Sequence, residues 1–341
     1  METSYFSSST TDILCAAELL RSGEVVAFPT ETVYGLGAVV WNEEAIQKIF
    51  TAKHRPADNP LIIHCADHEQ IDTVVREFPS WVRPVAEHFM PGALTMLFLK
   101  HRDIPMSVTA GLETVAVRIP AHPVAQALIR AVGVPIVAPS ANRSGRPSPT
   151  QAHHVMNDMQ GRIAAVIDGG ECRVGIESTV ISLLETPYRI LRPGSITKQE
   201  LEDYTGNIFV EYTTMNDSSI HALPAPGMKY RHYAPDADVQ VFADSESAKQ
   251  YIATTAQHRT YMVLEVIKDD HHTERSDAIV QECVTEQTLY EQLRRADDMQ
   301  VEKILIIFPL DLRRHRAGLW NRISKAAENH DSRNDVECTV L

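Results

Sequence analysis

Twice along the chain, short β-rich runs alternate with stretches of helical periodicity, and a stretch rich in Pro, Gly and small polar residues separates the two blocks. Alternation of this kind points to helices laid on a sheet, a layered α/β or α+β architecture. In the first block the spacing predicts strands at 24–28, 61–64, 94–99, 115–119, 135–138, 164–167, 179–183 and 188–191. Helices are predicted at 12–22, 43–51, 81–89, 123–132 and 152–159. The helix from Glu43 carries Ala45, Ile46, Ile49 and Phe50, the spacing of one buried stripe. In the second block, strands at 239–242, 261–266, 278–283 and 303–308 alternate with helices at 245–253, 285–298 and 316–328. Strands separated by helices suggest a small parallel sheet, Rossmann-like in the loose sense. No GxGxxG accompanies it, so nucleotide binding there is unsupported.

The expected organisation is therefore a domain over 11–208, a connecting segment over 209–237 and a second domain over 238–341. The 341 residues suit two domains. The connecting segment is unusual for a spacer, because Met228, Lys229, Tyr230, Arg231, His232 and Tyr233 are side chains suited to contact.

With 44% hydrophobic and 23% charged residues, each domain can bury a core without disulfides or a structural metal. Five cysteines are scattered with no CxxC pair, as expected of a reduced cytoplasmic protein. The first residues have neither a basic start nor an apolar run, so no secretory signal is expected, and no apolar stretch is long enough for a membrane span. A formal net charge of −13 argues against stable, sequence-independent nucleic-acid binding. Basic residues that gather locally do so against that balance.

Four segments share one layout, an apolar strand running into a polar loop punctuated by Gly or Pro. Ligands in open sheets bind at such strand ends. In VVAFPTETVYGLG, residues 25–37, hydroxyls and a carboxylate follow a buried strand, which makes either a polar turn or a ligand loop. In AKHRPADNPLIIH, Lys53 and Arg55 leave a helix end together. They either complement the helix dipole or form a phosphate clamp. His64 closes the strand that follows and is either structural or a ligand contact. In PSANRSGRPSPT, residues 139–150, hydroxyls, an amide and two arginines crowd one loop. The last segment is VGIESTV, followed by Leu191-Arg192-Pro193-Gly194-Ser195. Arg118, inside the apolar run Val115–Ile119, must find a partner, either a bound anion or a protein carboxylate. The pairs His153-His154 and His271-His272 read as surface residues.

No GxxxxGK[ST], GxSxG, HExxH or paired-cysteine pattern occurs, and no activated nucleophile stands out. Catalysis, if present, must rest on positioning and charge stabilisation.

Taken together in this order, the four segments resemble the YrdC-like family of threonylcarbamoyladenylate synthases. PAPGMKYRHYAP and GLWNRISKAA resemble its longer, two-domain members. The resemblance implies a YrdC-like twisted-sheet domain followed by a smaller Rossmann-like α/β domain. It also implies a reaction in which L-threonine captures bicarbonate as a carbamate, which attacks the α-phosphate of ATP. The products would be threonylcarbamoyl-AMP, pyrophosphate and water, and a downstream complex would pass the threonylcarbamoyl group to tRNA beside the anticodon. Mg2+ would arrive with ATP, without a dedicated protein site.

Carried over by position, Thr32, His64, Arg118, Ser140 and Ser178 would hold L-threonine. Lys53, Arg55, Asn59, Thr114, Asn142, Thr150, Arg192 and Arg231 would surround ATP, with Lys53, Arg55 and Arg192 serving catalysis. Tyr230, His232 and Tyr233 would cover the site as a lid. The rival expectation is an RNA-binding or regulatory relative without synthase activity, in which the loop arginines and Lys53 attract a phosphate backbone. A carbamoyltransferase relative would carry additional zinc-finger and acylphosphatase-like segments, which are not seen.

Overall fold

The computed structural model describes residues 2–211, 233–255, 260–266 and 280–327. It divides into two compact units, Met1–Ser144 with Ser148–Tyr230, and Gly145–Pro147 with Arg231–Leu341.

In the first unit the strands are β1 (Ser4–Phe6), β2 (Val26–Phe28), β3 (Gly35–Val39), β4 (Ile62–His64), β5 (Leu94–Leu99), β6 (Thr114–Arg118), β7 (Ile136–Val137), β8 (Ala165–Ile167), β9 (Thr179–Ser182), β10 (Tyr188–Arg192) and β11 (Phe209–Glu211). The helices are α1 (Thr10–Arg21), α2 (Glu43–Lys53), α3 (His68–Val74), α4 (Arg83–Phe89), α5 (Met106–Thr109), α6 (Pro123–Val132), α7 (Ala152–Met159) and α8 (Lys198–Thr205). The strands form one mixed sheet in the order β1-β8-β2-β3-β7-β4-β6-β5-β9-β10-β11.

Strand side chains alternate between faces, and the core follows that period. Val26, Phe28, Ala165 and Ile167 pack with Leu20 of α1 and Leu128 and Ile129 of α6. Ala27 and Val166, the residues between them, pack on the other face with Ile46 and Ile49 of α2. Helix ends obey local chemistry. Asn42 caps α2 by accepting from Ala45 N, and Thr197 and Glu200 form a reciprocal capping box on α8.

The expected strand 94–99 and helices 123–132 and 152–159 are observed with those bounds. β3 was not expected, because its glycines read as loop punctuation. They are instead room for a ring: a Cβ on Gly35 or Gly37 would meet the Phe28 side chain at 3.1 and 3.0 Å. β11 falls where the connecting segment was expected to begin, and extends the sheet by pairing parallel with β10.

In the second unit, β12 (Asp238–Phe242), β13 (Tyr261–Glu265), β14 (Val280–Cys283) and β15 (Lys303–Ile307) form a parallel sheet in the order β12-β15-β13-β14. Helices α9 (Ser245–Thr255), α10 (Leu289–Asp298), α11 (Leu310–His315) and α12 (Ala317–Ala327) accompany it. Val263, Leu305 and Ile307 pack with Ala248, one apolar face of the small sheet. Tyr233 has φ of 67° and lies buried, its ring centroid 5.5 Å from that of Tyr290 and 5.5 Å from the Arg322 guanidinium carbon. Tyr230, Arg231 and His232 lie outside the described residues, as do Ala278, Glu328 and the pair His271-His272. No helix among the described residues is long and apolar enough to cross a membrane.

Candidate functional site

The first unit brings its four loops to one place. Tyr34 N donates to Pro149 O at 2.9 Å, Ala141 N to Tyr34 O at 2.8 Å, and Val174 N to Glu31 O at 2.8 Å. The loop after β2 is thus braced by the loops that follow β7 and β8. Lys53 joins the end of α2 to the same place, since its Nζ donates to Ser140 O and Asn142 O, each at 2.5 Å. Ser144 N returns a bond to Lys53 O at 2.9 Å.

His64 and Arg118 close two parallel neighbours, β4 and β6, and stand side by side in register. Arg118 is buried, and its partner is a protein carboxylate, Glu31, at 2.6 Å. Its Nη1 donates to Thr32 Oγ1 at 2.9 Å and its Nε to Gly92 O at 3.1 Å. The second Glu31 oxygen accepts from Ala121 N at 3.0 Å. Burial opposes the Glu31 charge, but the Arg118 guanidinium outweighs it and holds the carboxyl below its ordinary value.

His64 is 3% exposed, and its Nδ1 lies 3.2 Å from Ile62 O. Burial, then the Arg118 charge, push its pKa down to about 3, so the ring is neutral at physiological pH. In the neutral ring Nδ1 carries the proton toward the carbonyl, and Nε2 is left as an acceptor.

A second cluster lies where β9 begins and β10 ends. Arg192 donates through Nε to Ser178 O at 3.1 Å and through Nη2 to Ser178 Oγ at 3.1 Å. The Ser178 hydroxyl also meets that of Thr95 at 2.7 Å. Gly194 lets the chain pass this close: a Cβ there would sit 2.4 Å from Thr179 N and 2.7 Å from Glu177 O. Those neighbours are backbone and cannot rotate away. Gly194→Ala is accordingly expected to cost about 1–3 kcal/mol in urea unfolding and to displace Ser178, one of the expected threonine contacts. Unchanged stability would show that the loop yields freely.

The remaining expected ATP contacts spread around Lys53. Arg55 donates to Asn59 O and Pro60 O, the latter at 2.9 Å, which folds its loop back on itself. Asn142 Oδ1 accepts from Ser140 Oγ at 2.6 Å. Thr150 is fully buried, and its hydroxyl has no hydrogen-bond partner among the described residues. Thr114 opens β6, about 13 Å along the strand from Arg118, where the parallel register with β4 sets it level with Pro60, whose carbonyl accepts from Arg55.

Glu31 and Thr95 are participants the sequence did not single out. An arginine inside an apolar strand demanded an anion, but nothing local told which carboxylate, 87 positions away, would supply it. One sequence reading is corrected: His154 is buried, because it shares the inward face of α7 with Val155 and Met159. Its Nδ1 accepts from Thr150 N at 3.3 Å. His153 is exposed, as expected.

The family model Sua5_yciO_yrdC, described as telomere recombination, matches residues 18–194. The model Sua5_C, described as threonylcarbamoyl-AMP synthase, C-terminal domain, matches residues 196–328. The threonylcarbamoyl-AMP synthase of Pyrococcus abyssi is 52% identical over 229 residues, 67% of each chain. That of Bacillus subtilis is 43% identical over 313 residues, 89% of each chain. Among solved structures, P. abyssi Sua5 complexed with L-threonine superposes with a TM-score of 0.84 at 40% identity, over 96% of this chain and 98% of that one. The chain belongs to the Sua5/YciO/YrdC family, in the form that carries the threonylcarbamoyl-AMP synthase C-terminal domain.

Proposed function

We propose that this chain is an L-threonylcarbamoyladenylate synthase, a nucleotidyltransferase that joins L-threonine, bicarbonate and ATP. The observation that carries the reading is near-full-length similarity to synthases of that name, combined with a buried guanidinium at the end of β6 and a buried lysine at the end of α2.

The chemistry runs in two steps. The amine of threonine, once neutral, attacks the carbon of bicarbonate, and loss of water leaves the N-carboxylate. An oxygen of that carbamate attacks the α-phosphorus of ATP, and the bond to the β-phosphate oxygen breaks to release pyrophosphate. Arg118 suits the threonine carboxylate, since a planar fork matches a planar anion. Thr32, neutral His64, Ser140 and Ser178 surround the rest of the amino acid.

Lys53, Arg55 and Arg192 oppose the negative charge that builds on phosphorus and on the departing pyrophosphate. Burial, then the Arg55 charge, hold the Lys53 ammonium well below its ordinary pKa. A polyphosphate beside it would reverse that preference. Asn59, Thr114, Asn142, the buried Thr150 hydroxyl and Arg231 complete the expected nucleotide contacts. ATP would enter as its magnesium complex, the cation offsetting phosphate charge without a protein carboxylate as ligand. Glu31 and Glu177 are engaged by Arg118 and by Ser148, at 2.6 and 2.5 Å, which supports that arrangement. A lid formed by Tyr230 and His232 would protect carbamate and mixed anhydride, both of which water destroys, whereas Tyr233 is occupied by Tyr290 and Arg322.

The product suits a tRNA-modifying transferase complex in the cytoplasm, where the thiols of Cys15, Cys65 and Cys172 persist. A nucleic-acid-binding role fits less well. Lys53, Arg118 and Arg192 are 1%, 4% and 5% exposed and bonded to internal oxygens, which does not make a surface for a phosphate backbone.

The test is incubation with ATP, Mg2+, bicarbonate and isotopically labelled L-threonine. Labelled threonylcarbamoyl-AMP should appear with equimolar pyrophosphate, and only when all components are present. Pyrophosphate release independent of threonine, or no adduct, overturns the reading.

A further inference from the structure

The tripeptide Thr30-Glu31-Thr32 contains one residue, Thr32, already placed in the amino-acid pocket. The other two point to a device that decides what kind of molecule that pocket accepts. Thr30 Oγ1 donates to Val33 O at 2.6 Å, which commits its only proton. The 2.9 Å bond between the Thr30 and Thr32 hydroxyls therefore takes its proton from Thr32, alongside the longer 3.2 Å bonds that Thr30 Oγ1 accepts from Thr32 N and Val33 N. Thr32 also accepts from Arg118 Nη1, because a guanidinium can only donate. With its proton committed to Thr30, Thr32 can meet a ligand only as an acceptor.

His64 has the same polarity. Its protonated nitrogen faces Ile62 O, and its Nε2 offers a lone pair. Arg118 offers only N–H groups. Among the described residues, three of its five are taken by Glu31, Thr32 and Gly92. Glu31 also fixes the charge, since its carboxylate cancels that of Arg118 within a pair whose side chains are each 5% exposed. Without it, the end of β6 would hold a buried net positive charge, which any small anion would satisfy.

We infer that Thr30 and Glu31 are positioning residues that give the amino-acid pocket its polarity, a donor-only guanidinium beside acceptor-only Thr32 and His64 with no net charge. The inference rests on the proposed assignment of Arg118, Thr32 and His64 to threonine. A pocket of this kind takes a zwitterion, with carboxylate against Arg118 and ammonium or hydroxyl hydrogens against the acceptors. It discriminates against a plain carboxylate of the same shape, because specificity is a difference between two affinities.

The test compares L-threonine with 2,3-dihydroxybutanoate, in which a hydroxyl replaces the ammonium, as ligands of full-length wild type, Glu31→Gln and Thr30→Val. Calorimetry gives each Kd, and initial rates give KM and kcat. Glutamine keeps an acceptor toward Arg118, removes the charge and gives up the bond that Glu31 Oε2 accepts from Ala121 N. Glu31→Gln is expected to raise the KM for threonine about tenfold while the KM for ATP stays within about twofold. The preference for threonine over dihydroxybutanoate should fall by a similar factor, on the order of ten. A purely structural defect would weaken both ligands alike, and that result, or an unchanged ratio, overturns the inference. If Glu31→Gln lacks a cooperative melt, Thr30→Val carries the test, since a freed Thr32 proton should shift the ratio the same way. Failure of the wild type to bind threonine at all would instead sink the assignment of the pocket, and this inference with it.

Discussion

Lys53→Ala is expected to lower kcat/KM for threonylcarbamoyl-AMP formation about a thousandfold, on the order of 4 kcal/mol of transition-state stabilisation. Two effects combine. The ammonium is the buried cation of the proposed phosphate site, and a preorganised charge in a poorly solvated place is worth more than one in water. The same ammonium ties Ser140 O and Asn142 O to the end of α2, so its removal also loosens the loop that carries both side chains. Lys53→Arg should recover little, because a planar fork cannot place one nitrogen 2.5 Å from both carbonyl oxygens in the lysine geometry. Pyrophosphate release at saturating threonine gives kcat, and titration of ATP gives KM. A loss below tenfold would remove Lys53 from the catalytic set.

The second large effect is on stability. Arg118→Leu should destabilise the fold by roughly 3–5 kcal/mol near neutral pH, because it strands Glu31, which is 4% exposed, as an uncompensated buried charge. The pH dependence has a definite sign. In the wild type Arg118 holds the Glu31 pKa below its unfolded value, so that contribution is present in full above the unfolded pKa and is lost as pH falls. In the variant the guanidinium is gone and burial raises the Glu31 pKa. Its penalty then grows as pH rises, and the stability gap between the two proteins narrows toward acid. Urea unfolding at about pH 5 and pH 8 measures both, with glutamate's ordinary pKa near 4.3 as the reference. A gap that is the same at both values, or smaller than about 1 kcal/mol, would contradict the account.

How much could be read from the chain depended on range. Strand β5 and helices α6 and α7 were legible because apolar periodicity acts within a few residues. Strand β3 was not, since Gly35 and Gly37 serve a ring on a neighbouring strand and look locally like a turn. Short helices such as α3 and α5, of 7 and 4 residues, are too brief for a periodic signal. His154 was misread because adjacent histidines look polar as a pair, whereas helix phase sends one inward and the other out.

The loops of the site were legible for a different reason. Hydroxyls, glycines, prolines and basic residues concentrated after apolar strands mark places where backbone and charge are kept for contact, and four such loops in one order are distinctive. Their chemical identities, together with the layered α/β class, were determined by the sequence alone. Tertiary structure decided what each group can do. It matched Arg118 to Glu31 across 87 positions and held His64 neutral by burying it beside that arginine. It set Arg118 against the Thr32 hydroxyl across 86 positions and brought Thr114 beside the start of β4. Composition fixes which protons and charges a chain owns. Desolvation and partners brought together by folding determine which of them remain available to a ligand.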